Sequence, residues 1–89
     1  MSESIEIEKA VEIITTAFAP LRCIAEPWDY GYRIRFRVFD IDEPLLNVDE
    51  ILKPQFSDHH RLNFIIGEAR SNLTNRGFNL TAWQFPTNA

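Results

Sequence analysis

An arginine occupies every second position from Arg33 to Arg37, set between Tyr32, Ile34, Phe36 and Val38. That alternation is the period of a β-strand, whose successive side chains point to opposite faces. The four apolar residues then line one face and Arg33, Arg35 and Arg37 the other, about 6.6–7 Å apart along the strand. A guanidinium grips a carboxylate or a phosphate through two parallel hydrogen bonds. The row therefore suits ion pairing on a solvated face, a protein interface, or phosphate contacts along a nucleic acid. Arg22 lies shortly before it, and Trp28 and Tyr30 offer rings for stacking. Arg22, Trp28, Tyr30, Arg33, Arg35 and Arg37 are the expected binding residues.

No other group of residues assembles a catalytic set. Asp58-His59-His60 has the letters that open a phosphoesterase signature, but such enzymes need further aspartate motifs and a longer chain. Adjacent helical residues point about 100° apart, so the two histidines do not share one metal, and capping by Asp58 is the expected role. Cys23 is the only cysteine, which excludes an internal disulfide and a cysteine-based zinc site. Its predicted place is the core, where a thiol is inert. Asp40, Asp42 and Glu43 lack the spacing and glycine of a calcium loop and read as a solvated turn or as partners for Arg22 and Arg37. No glycine-rich phosphate loop exists. We expect no catalytic residue, metal or cofactor. Trp83 and Phe85 share one face of a terminal segment, where they either close the core or form an interface patch.

The formal charge of −4 argues against a general nucleic-acid binder. The layout is segregated, however. Glu3, Glu6, Glu8 and Glu12 make the start acidic, as Asp40, Asp42, Glu43, Asp49 and Glu50 do the middle. Seven of the nine basic residues are arginine, so a basic face can persist on an acidic molecule. Eighty-nine residues make one domain, residues 1–89, since two cores would each be too small to hold. No run is long enough to span a bilayer and no signal peptide opens the chain, so a reducing bacterial cytoplasm is the expected location and no membrane the expected partner.

The elements that position these residues follow from periodicity. A helix is predicted from about Ser4 to Ala19, with Ile7, Ala10, Val11, Ile14, Ala17 and Phe18 on one stripe, capped by Ser2 or Ser4 and stopped by Pro20. A hairpin follows. Leu21, Cys23 and Ala25 face inward, 27–31 turn, and Ala25 is expected opposite Ile34, which sets Glu26 against Arg33 and Arg22 against Arg37. A short third strand covers 45–48, and a loop, with room for one helical turn, runs from Asp49 to Phe56 and is closed off by Pro54. A second helix runs from about Asp58 to Arg76, its inward stripe Leu62, Ile65, Ile66, Ala69 and Leu73, with Gly77 as its left-handed terminus. Gly67, costing about 1 kcal/mol inside a helix, suggests close approach of another backbone. Residues 78–85 alternate weakly as a candidate fourth strand. The expected fold is α+β, a two-layer α-β-β-β-α-(β) sandwich with both helices on one face of an antiparallel sheet.

The run Phe18-Ala19-Pro20-Leu21-Arg22-Cys23, followed by Arg37-Val38-Phe39-Asp40, resembles a family of short bacterial proteins with an F-x-P-L-x-C … R-V-F-D pattern and no assigned activity. The likeness covers roughly residues 5–76, with Glu68-Ala69-Arg70 matching its later helix, and it implies the fold outline alone. The pair His60-Arg61 at a helix start resembles the BolA-like family, which would make His60 an iron–sulfur ligand shared with a glutaredoxin-type partner. Two residues carry that likeness. The function these readings point to is a small cytoplasmic protein-interaction module, homodimeric, using the arginine face or the C-terminal aromatics. The alternative is RNA or single-stranded DNA binding through Arg33, Arg35 and Arg37.

Overall fold

The computed structural model describes residues 4–86. Helix α1 spans Ile7–Thr16, strands β1, β2 and β3 span Arg22–Trp28, Arg33–Asp40 and Glu43–Leu52, and helices α2 and α3 span Lys53–Phe56 and His59–Asn75. The strands form one antiparallel meander in the order β1-β2-β3. An amphipathic meander needs a cover on its apolar face, and the helices provide it. Ile34, Phe36 and Val38 of β2, Ile51 of β3, Ala10, Ile13 and Ile14 of α1, and Leu62, Ile66 and Leu73 of α3 meet in one core. The rings of Phe18 and Phe36 stack there, 5.5 Å between centroids. The α+β architecture with this element order is the one the periodicity predicts.

Several boundaries differ. Glu6, not Ser4, is the N-cap of α1, and it makes no side-chain capping bond; Ser2, the other expected cap, lies outside the described residues. The start of the chain is pinned instead by the Ile5 amide, which donates to the Ser57 carbonyl at 3.0 Å. Strand β3 is ten residues long rather than four, because it continues through the acidic stretch to Leu52. Pro54 stands in the first turn of α2, where a missing N–H costs nothing. Asp58 caps α3 as expected, accepting from the Arg61 amide at 3.0 Å. That backbone bond, with the His60 amide and the charge of Arg61 nearby, holds the Asp58 carboxyl below its ordinary pKa.

The first hairpin pairs two residues away from the expected register. Ala25 lies opposite Phe36, Cys23 opposite Val38 and Glu26 opposite Arg35. A shift of two keeps every side chain on its face, so the apolar pattern cannot detect it. The turn decides. Asp29, Tyr30 and Gly31 all take left-handed angles, with φ of 55°, 56° and 85°, and Pro27 and Trp28 join the strand instead of the turn. The shift also removes the repulsive pairing of Arg22 with Arg37. Arg22 now lies across from Phe39, its guanidinium 5.7 Å from the ring centroid.

Residues 78–86 form no strand. Gly77, at φ 100°, ends α3, and the Phe78 amide reaches back to the Leu73 carbonyl at 3.1 Å. The tail then runs back beside α3 as an irregular strap, and Phe78, Leu80, Trp83 and Phe85 pack against the core. Its backbone is held at one point by the Thr81 amide, which donates to the Ala19 carbonyl at 2.8 Å. Gly67 has no backbone near it: a Cβ there would meet nothing within 4 Å, so its expected close contact is absent among the described residues.

Candidate functional site

The inner face of β2 is buried, while its outer face carries the arginines and is covered by no other element among the described residues. β1 adds Arg22, Ile24, Glu26 and Trp28 to that outer face, and β3 adds Asn47 and Leu52. Six residues singled out from the sequence are thus split in a definite way. Arg22, Trp28, Arg33, Arg35 and Arg37 share one surface. Tyr30 sits at the hairpin tip, 98% exposed, off the end of the sheet.

The three guanidiniums of β2 each have a hydrogen-bonding partner. Arg35 Nε donates to Glu26 Oε1 at 2.8 Å, directly across the strand pair. Arg33 Nε contacts Asp29 Oδ2 at 2.9 Å, and its Nη1 pairs with Glu50. Arg37 Nε donates to Asn47 Oδ1 at 3.2 Å, and Asn47 Nδ2 in turn donates to Asp49 Oδ1 at 2.7 Å. A bulge makes this possible. Between the pairs Ile34–Ile51 and Phe36–Val48, β3 has two residues, Asp49 and Glu50, opposite the single Arg35. The extra residue sends one carboxylate toward Arg33 and the other toward the Arg37–Asn47 pair. Arg33 and Arg35 are thus paired with carboxylates, Arg37 with an amide that Asp49 holds, and Arg22 with the Phe39 ring alone. Exposed pairs of this type stabilise by about 0.2–1 kcal/mol each.

Trp28 lies between two of the arginines, with the Arg33 and Arg35 guanidiniums 5.3 and 5.7 Å from its ring. The indole gains cation–π attraction from both. Its Nε1 is buried with no hydrogen-bond partner among the described residues. Ile24 and Leu52, 42% and 41% exposed, flank the cluster. The surface is therefore apolar, aromatic and arginine-rich, and neutral overall.

The C-terminal aromatics resolve the other way. The Trp83 and Phe85 rings meet edge to face at 6.1 Å, and Phe85 meets His59 at 5.9 Å. Arg70 holds this arrangement. Its guanidinium donates to the carbonyls of Ala17 and Thr81, the latter at 3.0 Å, and lies 5.8 Å from the Trp83 ring. Of their two sequence-level roles, Trp83 and Phe85 take that of closing the core, although both keep part of their surface in solvent. Arg70 is the residue that sequence reasoning missed. Its position beside the buried stripe of α3 was visible, but its partners are 53 and 11 positions away.

The remaining candidates assemble no reaction centre. Cys23 points inward opposite Val38, and burial pushes its thiol up to about 12, so at neutral pH it is not a thiolate. His59 packs on Phe85 while His60 is exposed. Among the described residues no three His, Cys, Asp or Glu side chains are placed to hold a metal ion. None of the described helices is long and apolar enough to cross a membrane. Comparisons with protein-family models, with curated proteins and with solved structures return no match. The residues that carry the sequence resemblance, Phe18, Pro20, Leu21, Cys23 and 37–40, serve the core, the helix end and the hairpin.

Proposed function

We propose that this protein is a small protein-interaction module whose contact surface is the outer face of the sheet. One observation carries the reading: an uncovered surface that joins Trp28, Ile24 and Leu52 to a central arginine pair, Arg33 and Arg35, already engaged by Glu26, Asp29 and Glu50. Tryptophan and arginine with exposed aliphatic residues and little net charge are the composition of protein interfaces. A nucleic-acid surface needs unneutralised cations, because affinity comes from releasing counterions from phosphates. Arg33 and Arg35, at the centre of this surface, would first have to abandon their carboxylates. The same balance lets a protein partner dock without bringing a strong opposite charge.

A pull-down from native cells with the wild-type protein and with an Ile24→Glu/Leu52→Glu variant tests this. Both positions are exposed, so the variant should fold. A partner captured by the wild type and lost with the variant supports the reading. Capture unaffected by the two charges sinks it. A gel shift with mixed RNA and DNA at low salt should show no binding, and a shift abolished by an Arg33/Arg35/Arg37→Gln triple variant would favour nucleic acid instead.

A further inference from the structure

Helix α3 buries Leu62, Ile66, Ala69 and Leu73, yet its largest solvent-facing side chain is a phenylalanine. Phe64 is 67% exposed, and at 100° per residue it stands nearly opposite the buried stripe. It does not stand alone. Arg61, Phe64, Ile65 and Glu68 recur at steps of three, one and three, so they form a second stripe along the helix. Phe64 and Ile65 also line two shallow clefts of about 320 and 350 Å³, one beside Gln55 and His60, the other floored by Leu46 and Val48 of β3. An amphipathic helix normally spends its apolar residues inward. This one has Phe64 outside and Ile65 half-buried at the edge of the core beside it, bracketed by opposite charges.

We propose that this stripe is a self-association surface and that its occupant is a second copy of the chain. The argument is charge complementarity under two-fold symmetry. Isologous dimers place the same patch against itself, so each contact occurs twice with its partners exchanged. If two α3 helices cross antiparallel with the axis between Phe64 and Ile65, position i of one meets position 129 − i of the other. Arg61 then meets Glu68 of the second copy, Glu68 meets Arg61, and the Phe64–Ile65 pairs face each other at the centre. Within the chain, neither side chain has an ion pair: the four salt bridges among the described residues use other groups. Asp58 feels the charge of Arg61 but accepts its hydrogen bond from the Arg61 backbone. An unrelated partner would have no reason to match an arginine and a glutamate spaced evenly about one centre. The helix is about 25 Å long at 1.5 Å per residue, so one crossing lies at the small end of specific interfaces, below about 1,200 Å². The dimer is therefore expected in the micromolar range.

Sedimentation of the full chain from about 10 µM to about 1 mM should show a monomer–dimer equilibrium. Phe64→Asp should remain monomeric throughout. Arg61→Glu and Glu68→Arg should each weaken the homodimer about tenfold or more, since like charges then face each other. Mixing those two variants should form a heterodimer, and the Arg61→Glu/Glu68→Arg double variant should recover wild-type association. All these positions are exposed, so each variant should keep the wild-type circular dichroism spectrum. A wild-type monomer across the whole range overturns the proposal, as does a dimer indifferent to Phe64→Asp or a charge swap that restores nothing. The sheet-face variant Ile24→Glu/Leu52→Glu should dimerise normally, which separates failure of this interface from failure of the proposed sheet-face function.

Discussion

The two faces of β2 come from one alternating run, yet they are held by different physics. Inside, Ile34, Phe36 and Val38 are fully buried in the core beneath the helices. Their stabilisation scales with area removed from water and needs no particular neighbour. Outside, Arg33, Arg35 and Arg37 each depend on one or two named atoms supplied by a turn, a cross-strand residue and a bulge. The inner face tolerates a two-residue change of register, while the outer face is rewritten by it. One face stabilises the fold, and the other defines what can be recognised.

That contrast can be broken at four points, in descending order of effect. Phe36→Ala should cost about 3–5 kcal/mol in chemical denaturation, a large part of a total on the order of 4–13 kcal/mol. A loss below 1 kcal/mol would mean the stacked Phe18–Phe36 pair is not central to the core. Arg70→Ala should cost about 2–3 kcal/mol, because two backbone carbonyls lose a charged donor at once. Trp83 fluorescence should shift toward that of a solvated indole. Arg70 belongs to neither face, so its effect measures how much the strap adds to the helical layer.

Cys23 tests the inner face with pH. Burial favours the neutral thiol, so the folded state holds its proton up to about 12, while the unfolded chain releases it near the ordinary 9.0. The stability from this preference is complete below pH 9 and is lost as the pH rises toward 12. Wild type should therefore weaken across that window relative to Cys23→Ala, and equal alkaline profiles would place the thiol in water. The smallest effect belongs to the outer face. Arg35→Ala should cost less than about 1 kcal/mol, and a double-mutant cycle with Glu26→Ala should return coupling of similar size.

The same contrast explains what was legible in the sequence. The period-two run around Phe36 and the stripe of Leu62, Ile66, Ala69 and Leu73 announced the sheet face and α3, because burial leaves a regular trace. Asp58 and Gly77 announced the ends of α3 through capping chemistry. The hairpin register was invisible, since it rested on left-handed angles at Asp29 and Tyr30, residue types that do not demand them. The bulge at Asp49–Glu50 left no mark either, and the stretch read as a loop because its side chains are acidic on an exposed edge. The arginine row and its pairing with Glu26 and nearby acids were legible, but not which acid meets which arginine, because those carboxylates come from β1, the first turn and β3 at once. Arg70 was missed for the same reason, its acceptors lying far along the chain.

The corner formed by Ser57 and His59 gathers both extremes of the described chain, since Ser57 takes the Ile5 amide and His59 meets the Phe85 ring. The meander can zip outward from its turns through short closures, whereas this corner waits for two remote segments to arrive together. A permuted chain, joined between the Ile5 and Phe85 segments and opened in the exposed Asp29–Tyr32 turn, turns the most distant encounter into a local one. Because the same opening separates β1 from β2, the short closure of the first hairpin is lost while only the corner becomes local, so the permuted chain should reach the native state more slowly.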